Sequence, residues 1–117
     1  MNTYRILTLG QLIDALAALD DAPVRGLSGF IHSHRSWYER NATDPTSRVE
    51  KASVLAALYR SVVGTQMPGY NSGEVTVLAE NPIYYAAFGE SGPYIIGIEP
   101  GEDGVHTPVL LADEFAV

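Results

Sequence analysis

Residues 74–98 read EVTVLAENPIYYAAFGESGPYIIGI, and this stretch decides the fold class. Glu74 to Ala79 alternates, with Val75 and Val77 on one face, as a half-buried strand requires. Asn81-Pro82 and Gly89 bound a second run, Ile83 to Phe88. The turn Glu90-Ser91-Gly92-Pro93 separates it from a third, Tyr94 to Ile98, and Thr107 to Leu111 adds a further strand. Between these last two, Glu102-Asp103 lie in the turn Gly101-Glu102-Asp103-Gly104 and read as a solvated hairpin. Consecutive short strands joined by tight turns favour an antiparallel meander, because parallel strands need long crossovers. The second run places Tyr84 and Ala86 on one face and Tyr85 and Ala87 on the other. A strand apolar on both faces must be covered twice, once by helices and once by something else. An interface in a homo-oligomer is one such cover, since tyrosine suits interfaces.

Upstream, the period changes. Leu9, Leu12, Ile13, Leu16 and Leu19 form one apolar helical stripe. Thr8 is the expected N-cap and Gln11 completes a capping box. Asp20-Asp21-Ala22-Pro23 ends the helix, because proline has no amide proton to continue it. Val24 to His34 reads as a strand kinked at Gly26 or Gly29, and Asn41 to Pro45 as a loop. Ser47 and Glu50 suggest a second capping box, opening a helix that runs to about Val63. Gly64 is the expected left-handed C-cap. The chain is therefore predicted to be α+β. Two helices, near residues 9–20 and 47–63, pack on one face of a four- or five-stranded, mainly antiparallel sheet.

A chain of 117 residues suits a single domain spanning residues 1–117. It has no cysteine, which excludes disulfides and thiolate metal sites. The net charge of −7 argues against bulk nucleic-acid binding, where neutralising phosphate dominates affinity. The charge is unevenly spread: Arg35, Arg40, Arg48, Lys51 and Arg60 lie together, and no Lys or Arg follows Gly64. A local cationic site on an acidic body suits a small anion better than a polymer. Residues 1–5 lack the pattern of a secretory signal, and no apolar run is long enough to span a bilayer. A soluble cytoplasmic protein with no membrane partner is expected.

Two segments carry the candidate chemistry. Residues 32–40 read HSHRSWYER and hold the only tryptophan. His34, Arg35, Trp37, Tyr38 and Arg40 can together hold a flat, anionic ligand. A guanidinium binds phosphate through two parallel hydrogen bonds, and the aromatics stack on a base. The bland alternative makes Trp37 a core residue and pairs Arg35 with Glu39. Residues 64–73 read GTQMPGYNSG, in which Tyr70, Asn71 and Ser72 are suited to ligand contact. The loop can offer backbone amides to an anion, or simply join helix to strand. It is not a Walker loop, because the Gly-Lys-Ser/Thr ending is absent.

His32 and His34 would share a strand face, but zinc needs a third ligand, and His106 is the only other histidine. The preferred reading has no metal; one of the pair is at the surface and the other is a hydrogen-bonded partner near the loop. Ser33, His34 and Glu39 offer the residue types of nucleophilic catalysis without the Gly-x-Ser-x-Gly elbow. No catalytic residue and no cofactor are therefore assigned.

Ser33-His34-Arg35-Ser36-Trp37-Tyr38 and Gly69-Tyr70-Asn71-Ser72-Gly73-Glu74 together resemble paired segments of small proteins encoded by actinobacterial phages and prophages. Those read Ser-Tyr-Arg-Gly-Tyr-Tyr and Gly-Tyr-Lys-Gly-Gly-Glu. The similarity runs from about Phe30 to Ile98 and includes Asn81-Pro82-Ile83-Tyr84. The chain departs at Asn71, where the pattern favours lysine. The resemblance implies a phage setting, in the host cytoplasm, where a small compact protein often blocks a host defence. Three function classes follow. One is an anti-defence sponge that sequesters a nucleotide immune messenger without turnover. Another is an acidic inhibitor of a host defence protein, or a structural phage protein, with no small ligand. The third is a nucleotide hydrolase.

Overall fold

In a computed structural model, residues 6–33, 41–68, 74–87 and 92–112 are described. The elements follow the order α1 (Leu9–Ala18), β1 (Pro23–Arg25), β2 (His32–Ser33), β3 (Asn41–Thr43), β4 (Val49–Lys51), α2 (Ala52–Val62), β5 (Gln66–Pro68), β6 (Glu74–Thr76), β7 (Ile83–Tyr85), β8 (Tyr94–Pro100) and β9 (His106–Leu111). The fold is α+β, as the change of period predicts.

The strand count differs from the four or five expected. Seven strands form one sheet in the order β2-β3-β7-β8-β9-β1-β4, and β5 and β6 pair separately. The added strands have two or three residues each, too few for an alternating pattern to show. The sheet is mixed. β3 runs parallel to β7, and β1 meets β9 in parallel at Val24↔His106, while the other four neighbouring pairs are antiparallel. The single strand expected over Val24 to His34 is two strands at different places in the sheet. The chain leaves β1 at Gly26 (φ 98°) and turns again at Gly29 (φ 84°). At Gly29 a Cβ would lie 2.7 Å from Leu58 Cδ1, so this turn packs directly on α2.

Helix α1 begins as predicted. Thr8 Oγ1 accepts from the Gln11 amide at 3.1 Å, and Gln11 Oε1 accepts from the Thr8 amide at 2.9 Å. The box at Ser47 and Glu50 does not form, because residues 49–51 are extended and paired with β1. Helix α2 starts later, at Ala52, and is capped from elsewhere in the chain. The amides of Ala52 and Ser53 donate to the carbonyls of Ala22 (2.9 Å) and Asp20 (2.7 Å). Ser53 Oγ also donates to Asp21 at 2.7 Å. Two of the four orphan donors at the start of the helix are thus satisfied by the turn that ends α1. At the other end Gly64 is left-handed (φ 85°), one residue beyond the cap Val63.

Leu9, Leu12, Ile13 and Leu16 of α1 meet Leu55, Ala56 and Tyr59 of α2 over Val24, Val77, Ile83 and Ile95. Alternation along β7 turns Tyr84 to the opposite face, where Ala42 is its partner in β3. Tyr84 is also buried, and its ring lies 4.3 Å from that of Tyr94. Backbone before α1 closes the gap between β7 and β8: Leu7 donates to Ile95 and accepts from Ile83, both at 3.0 Å. No helix among the described residues is long and apolar enough to cross a membrane.

The two capping motifs make a paired test. Thr8→Ala should lower unfolding stability by about 1 kcal/mol. Ser47→Ala should change it by less than about 0.5 kcal/mol, because Ser47 caps no helix. Urea denaturation of both variants checks the difference.

Candidate functional site

The predicted ligand residues His34, Arg35, Trp37, Tyr38, Arg40, Tyr70, Asn71 and Ser72 lie outside the described residues. The structure defines the strands that carry them. β2 pairs with β3 through Ser33↔Asn41, so residues 34–40 join the two strands of one hairpin. β5 pairs with β6 through Pro68↔Glu74, so residues 69–73 join those of a second. β2 and β5 are neighbours, with Cα atoms within 8 Å. The two candidate segments therefore spring from adjacent hairpins, although α2 separates them in sequence.

The foot of the first hairpin is fastened on both faces of the sheet. On the face away from the helices, buried His32 donates from Nε2 to Asp44 Oδ1 (2.9 Å) and to the Ala86 carbonyl (3.0 Å). Both contacts are acceptors, so Nε2 carries the proton and serves as an anchor. The contacts bind β2 to the segments that follow β3 and β7. The sequence leaves open which histidine of the pair is the hydrogen-bonded partner near the loop; His34 lies outside the described residues, and His32 fills that role. Its partner Asp44 carried no sequence signal, because a single acid after a short polar run has no distinguishing pattern.

On the helix face, Asn41 is fully buried. Its Nδ2 donates to the Leu78 carbonyl at 3.0 Å, and its backbone amide to that of Pro82 at 3.2 Å. Asn41 Oδ1 is buried and meets no donor among the described residues. An unmet buried acceptor costs about 1–3 kcal/mol. The reading of Asn41 to Pro45 as a loop is corrected here: residues 41–43 form a fully buried strand. Polar residues suggest a loop only when nothing in the fold meets their hydrogen bonds.

Thr43 shows how the next pair is met. Its hydroxyl lies 2.8 Å from that of Tyr59 on α2 and 3.0 Å from Ser28 Oγ. Three hydroxyls thus link α2, β3 and the turn after β1. Burial raises the Tyr59 pKa above 10.0, against the opposing effect of the Thr43 hydrogen bond. Burial likewise raises that of Tyr85, whose hydroxyl donates to the Gly26 carbonyl at 2.7 Å. Both phenols are therefore neutral at physiological pH.

The acids Glu102 and Asp103 are exposed in the turn between β8 and β9, as expected. The Val105 amide and the Arg25 guanidinium hold the Asp103 carboxyl below its ordinary pKa. The Arg25 contact is 3.2 Å, between side chains about half exposed, so it adds little to stability. Among the described residues, no group of three or more His, Asp or Glu side chains is placed to hold a metal ion.

The phenol chain sets an alkaline limit. A folded-state pKa above the unfolded value means that the folded protein holds its proton longer. Stability is then complete below pH 10.0 and falls as pH rises through the folded value. Tyr59→Phe should lower stability at neutral pH by about 1 kcal/mol and make the alkaline fall shallower. Thermal melts between pH 7 and 11 measure both.

Comparison with known proteins found no matching family model, and no match among curated proteins or solved structures.

Proposed function

We propose that this protein binds a small nucleotide-like anion and holds it without turnover. The observation that carries the proposal is the adjacency of β2 and β5. Two segments rich in ligand-suited side chains, 34–40 and 69–73, are attached to neighbouring strands. Arg35 and Arg40 supply charge for phosphate, and Trp37, Tyr38 and Tyr70 supply faces for bases. Stacking contributes on the order of 1–3 kcal/mol per base, enough with one guanidinium for about micromolar affinity. Sequestration needs slow release and no base poised at a scissile bond. The resemblance to phage proteins supports a nucleotide messenger of host immunity as the ligand and the host cytoplasm as the place of action. A homo-oligomer would place two such sites in one particle.

A second reading has its own support. Phe30 is 59% exposed and Val54 39%. Phe30 adjoins Gly29, which packs on Leu58, one helical turn from Val54. An exposed aromatic on an acidic body also suits an inhibitor that docks on a host defence protein.

Calorimetry against cyclic dinucleotides, cyclic oligonucleotides and ADP-ribose derivatives tests the first reading, with chromatography of the recovered ligand. Micromolar or tighter binding with intact ligand recovered is the expected result. Arg35→Ala should then weaken binding by about 1.5–3 kcal/mol, the range for a hydrogen bond to a charged group. A cleaved product would make the protein a hydrolase. Absence of binding, with a stable complex with a host protein lost in Phe30→Ser, would favour the inhibitor.

A further inference from the structure

We infer that Asn41 couples the β2–β3 hairpin to the β5–β6 hairpin, so that the two move as one unit. This rests on the ligand-binding reading and supplies its positioning residue, one that holds the hairpins without touching a ligand.

Asn41 is the first residue of β3 and pairs with Ser33, the last of β2. It therefore sits at the root of the first hairpin. Its Nδ2 reaches the carbonyl of Leu78, which stands two residues beyond β6. Val77, the neighbour of Leu78, closes the root of the second hairpin against the end of α2. Its amide donates to Thr65 at 2.9 Å, and its carbonyl accepts from Gly64 at 2.8 Å. The Asn41 backbone also donates to Pro82 at 3.2 Å. One residue thus grips both ends of the segment that carries the chain from β6 to β7.

The choice of residue supports the role. Asn41 is fully buried, and its Oδ1 meets no donor among the described residues. A site selected for core stability alone would carry an apolar side chain of similar size. An amide is useful here for its N–H group, and what that group holds is the root of the other hairpin. No other side-chain hydrogen bond among the described residues joins β3 to the 77–82 segment.

Native-state amide hydrogen exchange on the whole chain tests the coupling, with Asn41→Ala beside Thr8→Ala as a control for general destabilisation. In Asn41→Ala, protection of the Val77 and Gly64 amides should fall about five- to tenfold relative to that of β8 amides, the loss expected for one hydrogen bond. In Thr8→Ala the ratio should hold. If Asn41→Ala lowers protection equally at Val77 and in β8, Asn41 is a general core residue and the inference fails. Should Asn41→Ala not fold, Asn41→Ser keeps a hydroxyl on a shorter stem, and the same ratio decides. Binding of cyclic di-AMP, used as the probe, gives a separate readout. Where the wild type binds it, Asn41→Ala should raise Kd about five- to tenfold, and an unchanged Kd would overturn the positioning role. Where the wild type binds no member of the nucleotide panel, the ligand reading falls while the exchange ratio still decides the coupling.

Discussion

Burying a polar strand inside a protein is costly unless its hydrogen bonds are met, and β3 is such a strand. Asn41 and Thr43 have no exposure, so every group they carry must find a partner inside the protein or count against folding. The partners come from far along the chain. Thr43 draws in Tyr59 from α2 and Ser28 from the turn after β1, and Asn41 draws in Leu78. The His32–Asp44 contact does the same on the other face. Four regions of the sequence are located by the needs of three residues. The apolar contacts between α1 and α2 are stronger in sum, yet less selective, because a hydrophobic face accepts many registers.

That constraint explains why the candidate segments are neighbours. A strand at the sheet edge has one unpaired side. β2 is such a strand, and the β5–β6 ribbon lies beside it. The ribbon is held at its root by Gly64, Thr65 and Leu78, and so by the end of α2 and by β3. The geometry of any ligand site there depends on the strands that carry the two segments, as binding sites generally depend on the elements beneath them.

Much of the architecture could be read from the residues. The stripe from Leu9 to Leu16 and the Thr8–Gln11 box identify α1, because both signals are local. The longer strands β8 and β9 and the left-handed Gly64 were legible for the same reason. What escaped reading depends on distant partners. Ser47 and Glu50 have the spacing of a capping box, but pairing with β1 keeps that stretch extended. Asn41 to Thr43 look like a loop because their acceptors and donors lie elsewhere in the sequence. For the candidate site, residue chemistry marked two segments as suited to a ligand. The short helix between them could return the second segment beside the first, so a pocket shared by Arg35, Trp37, Tyr38 and the Tyr70–Asn71 loop is an expectation of the sequence. That each segment joins the two strands of a hairpin was not legible, because strands of two or three residues show no alternating pattern.

The two parallel pairings have a consequence for how the molecule is made. β1 at residues 23–25 lies between β4 and β9, and β9 begins at residue 106. β3 at residues 41–43 lies beside β7 at residues 83–85. The early strands must therefore wait for late ones before their ladders are complete. Contacts of such long sequence separation slow folding, since loop-closure entropy is lost before the contacts reward it. On the ribosome, α1, α2 and the β1–β4 pair can form first. The sheet itself closes only when the chain beyond residue 106 has emerged, leaving unpaired strand edges exposed to other nascent chains until then.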